Sequence, residues 1–94
     1  MVDNLNLNEV LLKVKSSSSA ANLAAAIANN IYEANDVILR AIGAAAVNQS
    51  MKAVAIANGY VAPRGIRLVV LPGFTTVMMP DGSISAMTFK ILAS

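Results

Sequence analysis

The chain predicts an α+β domain of order β-α-β-α-β-β: a two-layer sandwich with a mixed four-stranded sheet and two helices on one face. Three observations lead there. Two alanine-rich segments carry apolar residues at helical spacing. Short apolar or alternating runs stand before, between and after them. A Pro-Asp-Gly turn at 80–82 joins the last two runs as a hairpin.

Glu9–Lys15 alternates: Val10, Leu12 and Val14 point one way, and Glu9, Leu11, Lys13 and Lys15 the other, as in a half-buried strand. Ser16–Ser19 then makes a turn ending in a helix start, because a serine side chain accepts from an orphan N–H. Four residues are a turn length, so no domain boundary is placed there. Ala20–Ala34 reads as a helix, with Leu23, Ile27 and Ile31 on one stripe beside Ala20 and Ala24. Val37–Ile42 is a short strand, apolar on both faces apart from Arg40.

Gly43 makes the next turn, and Ala44–Asn58 reads as the second helix. Val47, Met51 and Val54 are its expected core stripe, Asn48 and Lys52 share another face, and Gly59 suits a stop. Ala62–Gly65 is turn chemistry. Ile66–Leu71 is a strand, Pro72-Gly73 marks a bulge or an edge, and Thr75–Met79 continues it. Ser83–Leu92 is the last strand: Ile84, Ala86, Thr88, Lys90 and Leu92 share one face, and Met87, Phe89 and Ile91 the other. The first strands should be parallel with right-handed crossovers, and the last pair antiparallel. Residues 1–8 are expected to be a flexible start and 9–94 a single domain.

Composition narrows the function. Hydrophobic residues make up 56% of the chain and charged residues 13%, about half the usual charged share. A domain this small cannot hide so much apolar surface, so a homo-oligomer, dimer or tetramer, is expected. Met78 and Met79, near the hairpin tip, are candidate subunit contacts. The longest apolar runs, Ala41–Val47 and Leu68–Phe74, fall far short of the roughly 20 residues a spanning helix needs. The start MVDNLNLNE is polar and acidic, unlike a secretory signal, so a cytoplasmic location with no membrane partner is expected.

The chain has no cysteine and no histidine, which removes thiol chemistry, the usual general base and the commonest metal ligand. Glu9, Glu33, Asp36 and Asp81 form no paired constellation for acid–base or metal work. No catalytic residue, metal, cofactor or small-molecule substrate is therefore expected.

The candidate chemistry is anion contact. Arg40, Lys52, Arg64 and Arg67 fall in a stretch that holds no acid between Asp36 and Asp81. Lys13, Lys15 and Arg40 are expected on one sheet face near the serine loop, with Asn48 and Lys52 on the adjacent helix. Cations and amides so placed meet phosphate oxygens; equally, few charges on a greasy protein serve solubility. Ser16 and its neighbours offer hydroxyls to phosphate, or serve as cap and loop. The turn at Gly43 can present N–H groups to an anion, or simply reverse the chain.

The run AIGAAAVNQSMKAVAIANGYVAP, residues 41 to 63, resembles the signature of the stage V sporulation protein S family. KVKSSSS before it and GIRLVVLPGF after it resemble that family's first strand and loop and its third strand, so the match covers roughly residues 10 to 92. The family in turn resembles the Alba-like proteins, small dimeric β-α-β-α-β-β domains that bind DNA or RNA. The resemblance thus implies an Alba-like fold and a small nucleic-acid-associated regulator acting in development or sporulation. The candidate binding set, read from the residues themselves, is Lys13, Lys15, Ser16, Arg40, Asn48 and Lys52; Alba proteins place basic residues in the first strand-to-helix loop, whereas Lys13 and Lys15 precede it here. Asn48-Gln49 stands where an Alba helix often has a Ser-Lys or Asn-Lys pair, and the hairpin tip, Met78 to Gly82, carries one acid and no cation. The alternative reading is a self-assembling scaffold or protein-interaction module without nucleic acid.

Overall fold

The computed structural model describes residues 8–94. The expected flexible start lies outside them except for Asn8, whose carbonyl accepts from the Asp36 N–H at 2.9 Å. The order is β1 (Glu9–Val14), α1 (Ala20–Tyr32), β2 (Asp36–Ala41), α2 (Ala44–Val61), a 3-10 turn (Ala62–Arg64), β3 (Leu68–Met79) and β4 (Gly82–Ala93). The strands form one mixed sheet in the order β1-β2-β4-β3. β1 and β2 are parallel, and β4 runs antiparallel to both β2 and β3.

Register sorts the side chains. Val10, Leu12 and Val14 pair with Val37, Leu39 and Ala41, which pair in turn with Ile91, Phe89 and Met87. This face meets the helices: Val37, Leu39, Ala41, Phe89 and Ile91 are buried in one cluster with Ala24 and Ile27 of α1 and Ala53, Ala57 and Val61 of α2. Val37, Leu39, Ile27 and Val61 lose essentially all contact with water, each worth about 1.5–3 kcal/mol of transfer free energy. The other face is open. It carries Leu11, Ile38, Lys90 and Leu71 in one row and Lys13, Arg40, Thr88 and Gly73 in the next.

Both helix ends differ from expectation. α2 does not stop at Gly59; it runs to Val61 and tightens into the 3-10 turn, ending at Gly65 with φ 77°. A buried Val61 outweighs the modest cost of a helical glycine. α1 ends two residues early, at Tyr32, and Ala34 takes φ 62° to turn the chain. Of the two readings of Pro72-Gly73, a bulge or an edge, the edge holds: β3 runs through them as the edge strand, where a missing donor is tolerated.

α2 buries the expected Val54 and partly buries Val47, but not Met51. Its buried face is Ala46, Ser50, Ala53, Val54, Ala57 and Val61, while Met51 is 36% exposed and Val47 only partly buried. α2 packs against α1 as well as the sheet. Interaxial distance follows side-chain size at the contact, so the small residues face inward and the larger Met51 does not. Buried Ser50 meets its need by donating to the Ala46 carbonyl at 2.9 Å.

β3 and β4 pair over their full length, but β4 meets β2 only between Met87 and Ile91. The rest is a two-stranded arm. Met78, 77% exposed, lies on it, and Phe74, 79% exposed, stands at its base opposite Met87.

Candidate nucleic-acid interface

β1 and β2 point their carboxyl ends the same way, so the loops leaving them meet at one end of the sheet. Lys13 and Arg40 are register partners on the open face there, their strands about 5 Å apart. Lys15 lies one residue past β1 and Ile42 one past β2, in phase with Lys13 and Arg40. Together with Val14 and Ser16 these residues line a cleft of about 280 Å³. Three cations and no carboxylate face it. Glu9 and Asp36, the acids of β1 and β2, pair at the opposite ends of the strands.

The serine loop divides its labour. Ser19 caps α1, accepting from the Asn22 N–H at 3.2 Å. Ser18 holds the turn: its Oγ accepts from the Lys15 N–H at 2.8 Å, and its own N–H donates to the Lys15 carbonyl at 3.0 Å. Ser16 alone of the four lines the cleft. From α2, the Gln49 Nε2 donates to the Ser18 carbonyl at 2.8 Å, tying the loop to the second helix.

Both helices begin at this end. α1 starts behind Ser19 and α2 behind Gly43, which has φ 92° and ψ 157°, backbone essentially confined to glycine, and offers no side-chain cap. Their amino-terminal turns add partial positive charge to that end of the sheet.

Of the six expected binding residues, Lys13, Lys15, Ser16 and Arg40 line the cleft. Asn48 and Lys52 are exposed on α2 and do not line it. The acid-free stretch is likewise not one surface: the Arg64 guanidinium sits 4.0 Å over the Tyr32 ring, and Tyr32 donates to the Tyr60 carbonyl at 3.1 Å, at the far ends of the two helices. Sequence reading missed Ile42 and Val14 as walls of the cleft. It also missed Lys90, which the β2–β4 register sets beside Ile38 on the same open face. Alternation had put Lys90 on a face with Thr88; only the pairing showed which face that was. A second, shallower cavity between the end of α1 and β4 holds Asp36 and no cation. Among the described residues, no group of three or more acids could hold a metal ion.

The stage V sporulation protein S (SpoVS) family matches the chain over residues 10–94. The chain belongs to that family. Among solved structures, Alba from Thermoplasma volcanium superposes on it with a TM-score of 0.61, covering 90% of this chain and 99% of the other at 17% identity. At that identity the likeness is one of fold. The stage V sporulation protein S chain therefore has the Alba-like fold, with its cationic cleft where the parallel strands end.

Proposed function

We propose that this member of the stage V sporulation protein S family is a small non-enzymatic regulator that binds nucleic acid, as a homodimer, through the Lys13–Lys15–Arg40 cleft. The observation that carries the reading is the convergence of three cations from two strands on one cleft without a carboxylate. Unpaired cations so gathered repel one another, an arrangement that a polyanion relieves. Phosphate contacts of this kind give affinity without reading sequence. Ser16 adds a hydroxyl donor, and Asn48 and Lys52 extend the surface along α2. With no histidine or cysteine in the chain, the cleft is better equipped to hold an anion than to transform it.

The experiment is binding of labelled DNA and RNA across a salt series, with wild type and Lys13→Ala, Lys15→Ala and Arg40→Ala variants. Binding that weakens with salt and with each substitution supports the reading. No binding at low salt, or indifference to all three substitutions, overturns it.

A specific observation favours self-assembly as a second reading. The open sheet face exposes Leu11, Val69, Leu71 and Leu92, Leu71 to 58%. A second copy covering this face would account for it and would double the cations along one surface. Light scattering at micromolar concentration tests it, and a strict monomer rules against it. Among the described residues no helix is long and apolar enough to cross a membrane.

A further inference from the structure

We propose that the cleft between the ends of β1 and β2 is a pocket for a phosphate monoester, the group carried by a mononucleotide or by the 5′-phosphorylated end of a strand, in preference to the internal phosphodiesters of a chain. The proposal deepens the nucleic-acid reading above and rests on it for the strand-end ligand.

Three features point to an end group. Charge is concentrated, not strung out. Lys13, Lys15 and Arg40 face one cleft of about 280 Å³, just under the range of pockets that enclose drug-sized ligands. That volume suits one phosphate with part of its sugar or base. A phosphodiester carries one negative charge, whereas a monoester carries about 1.5 to 2 at neutral pH. Three cations around one phosphate therefore favour the more highly charged group.

Beyond the cleft the cations are scattered: Lys90 stands one register row from Arg40 on the open face. Lys52 lies on the exposed side of α2 and Arg64 over the Tyr32 ring. The hairpin tip, Met78 to Gly82, has no cation, and the exposed side chains of the arm include Met78 and Met79, with Phe74 at its base. A protein that follows a strand needs basic residues along its path; here three of the chain's seven gather at one cleft.

The walls are two-natured as well. Ile42 lines the cleft beside the cations and is 37% exposed, while Val14, 5% exposed, borders it from the core side. A phosphate at Lys13 and Arg40 would leave its sugar or base against this apolar side. Ser16 adds a hydroxyl donor, and the amino-terminal turns of both helices add partial positive charge at the same end.

The test uses the full chain, isotope-labelled, with adenosine monophosphate and its 3′,5′-cyclic diester followed by NMR. A matched pair of short oligonucleotides with and without a 5′-phosphate is followed by fluorescence. The monophosphate is expected to shift the amides of Lys13–Ser16 and Arg40–Ile42 and to bind about tenfold tighter than the cyclic diester. The phosphorylated oligonucleotide is expected to bind about tenfold tighter than its hydroxyl twin. Both preferences should shrink between pH 7.5 and pH 5, as the monoester takes up its second proton near pH 6. The charged groups on this face are Lys13 and Lys15 from β1 and its loop, Arg40 from β2 and Lys90 from β4, with Glu9 and Asp36 at the other end. No histidine is present to titrate in that window. Arg40→Ala and the Lys13→Ala/Lys15→Ala pair should abolish the preference while leaving the spectrum folded.

Equal affinity for monoester and diester, or shifts centred away from the cleft, overturns the proposal. Oligonucleotides that bind equally with and without the phosphate overturn it while sparing the nucleic-acid reading. A monophosphate that binds where neither oligonucleotide does keeps the pocket and overturns the strand reading. Silence from every ligand overturns both.

Discussion

Asn58 grips Leu68 by both backbone groups: its Oδ1 accepts from the Leu68 N–H at 3.0 Å and its Nδ2 donates to the Leu68 carbonyl at 3.3 Å. Neighbouring Arg67 and Ser94 exchange both of their backbone bonds, at 3.1 and 2.9 Å. In an antiparallel pair such positions alternate, so the polar groups of Leu68 point away from β4, toward the free edge of β3. The amide of α2 stands in for a missing strand there. Asn58→Leu should remove both bonds and leave a partly buried N–H and carbonyl without partners, costing about 2 kcal/mol. In a domain of this size that lowers the melting midpoint by roughly 10 °C. A melt within about 2 °C of wild type, with unchanged hydrogen exchange at the Leu68 amide, would count against this role.

The inner face of α2 sets a second expectation. Ala57 is fully buried in the core cluster, so Ala57→Leu should overpack it by about 1–3 kcal/mol. Val54 is 7% exposed, and Val54→Asp, which buries an unpaired charge, should unfold the domain or abolish soluble yield. Met51→Ala, on the outer side, should cost under about 1 kcal/mol. Denaturant unfolding of the three variants checks the helix rotation. A Met51→Ala variant as damaged as Ala57→Leu would place the buried face elsewhere.

Gln49 holds the loop beside the cleft from behind. Its bond to the Ser18 carbonyl ties the β1–α1 loop to α2. Gln49→Ala should cost about 1 kcal/mol of stability and loosen the loop that carries Lys15 and Ser16. Gln49→Glu should behave alike, since a carboxylate cannot donate to that carbonyl. Both should weaken nucleic-acid binding severalfold although no cation is lost. Affinities equal to wild type in both variants would show that the loop needs no such tie.

Salt dependence separates the cleft from the rest of the surface. If Lys13, Lys15 and Arg40 each meet a phosphate, the slope of log affinity against log salt should be about −2 to −3 per subunit. Arg40→Ala should reduce its magnitude by roughly one. Lys52→Ala, outside the cleft, should change it less. A larger effect from Lys52 than from Arg40 would move the interface onto α2.

Much of the fold was legible because its signals are local. Alternation in Glu9–Val14, the alanine-rich runs and the Pro-Asp-Gly turn each act over a few residues, so element types and order could be read along the chain. The boundaries that shifted were set by distant partners. Gly59 reads as a stop until Val61 is seen filling the core, and Pro72 reads as a bulge or an edge until β3 is seen at the sheet edge. On α2, hydrophobicity alone points Val54 inward correctly and Met51 wrongly. A helix pressed between a sheet and another helix buries its small residues, and Met51 is not one of them.

The sequence by itself determined the β-α-β-α-β-β order and the family, and left the chain without the histidine and cysteine on which imidazole and thiol chemistry depend. Only the tertiary structure decided which charges act together. Lys13 and Arg40 are 27 residues apart in the chain and adjacent across two parallel strands, whereas Arg64, in the same acid-free stretch as Arg40, is held on Tyr32 at the other end. Register and crossover are long-range properties, fixed by which strands share a core, and that is why the cleft could not be read from the run of residues alone.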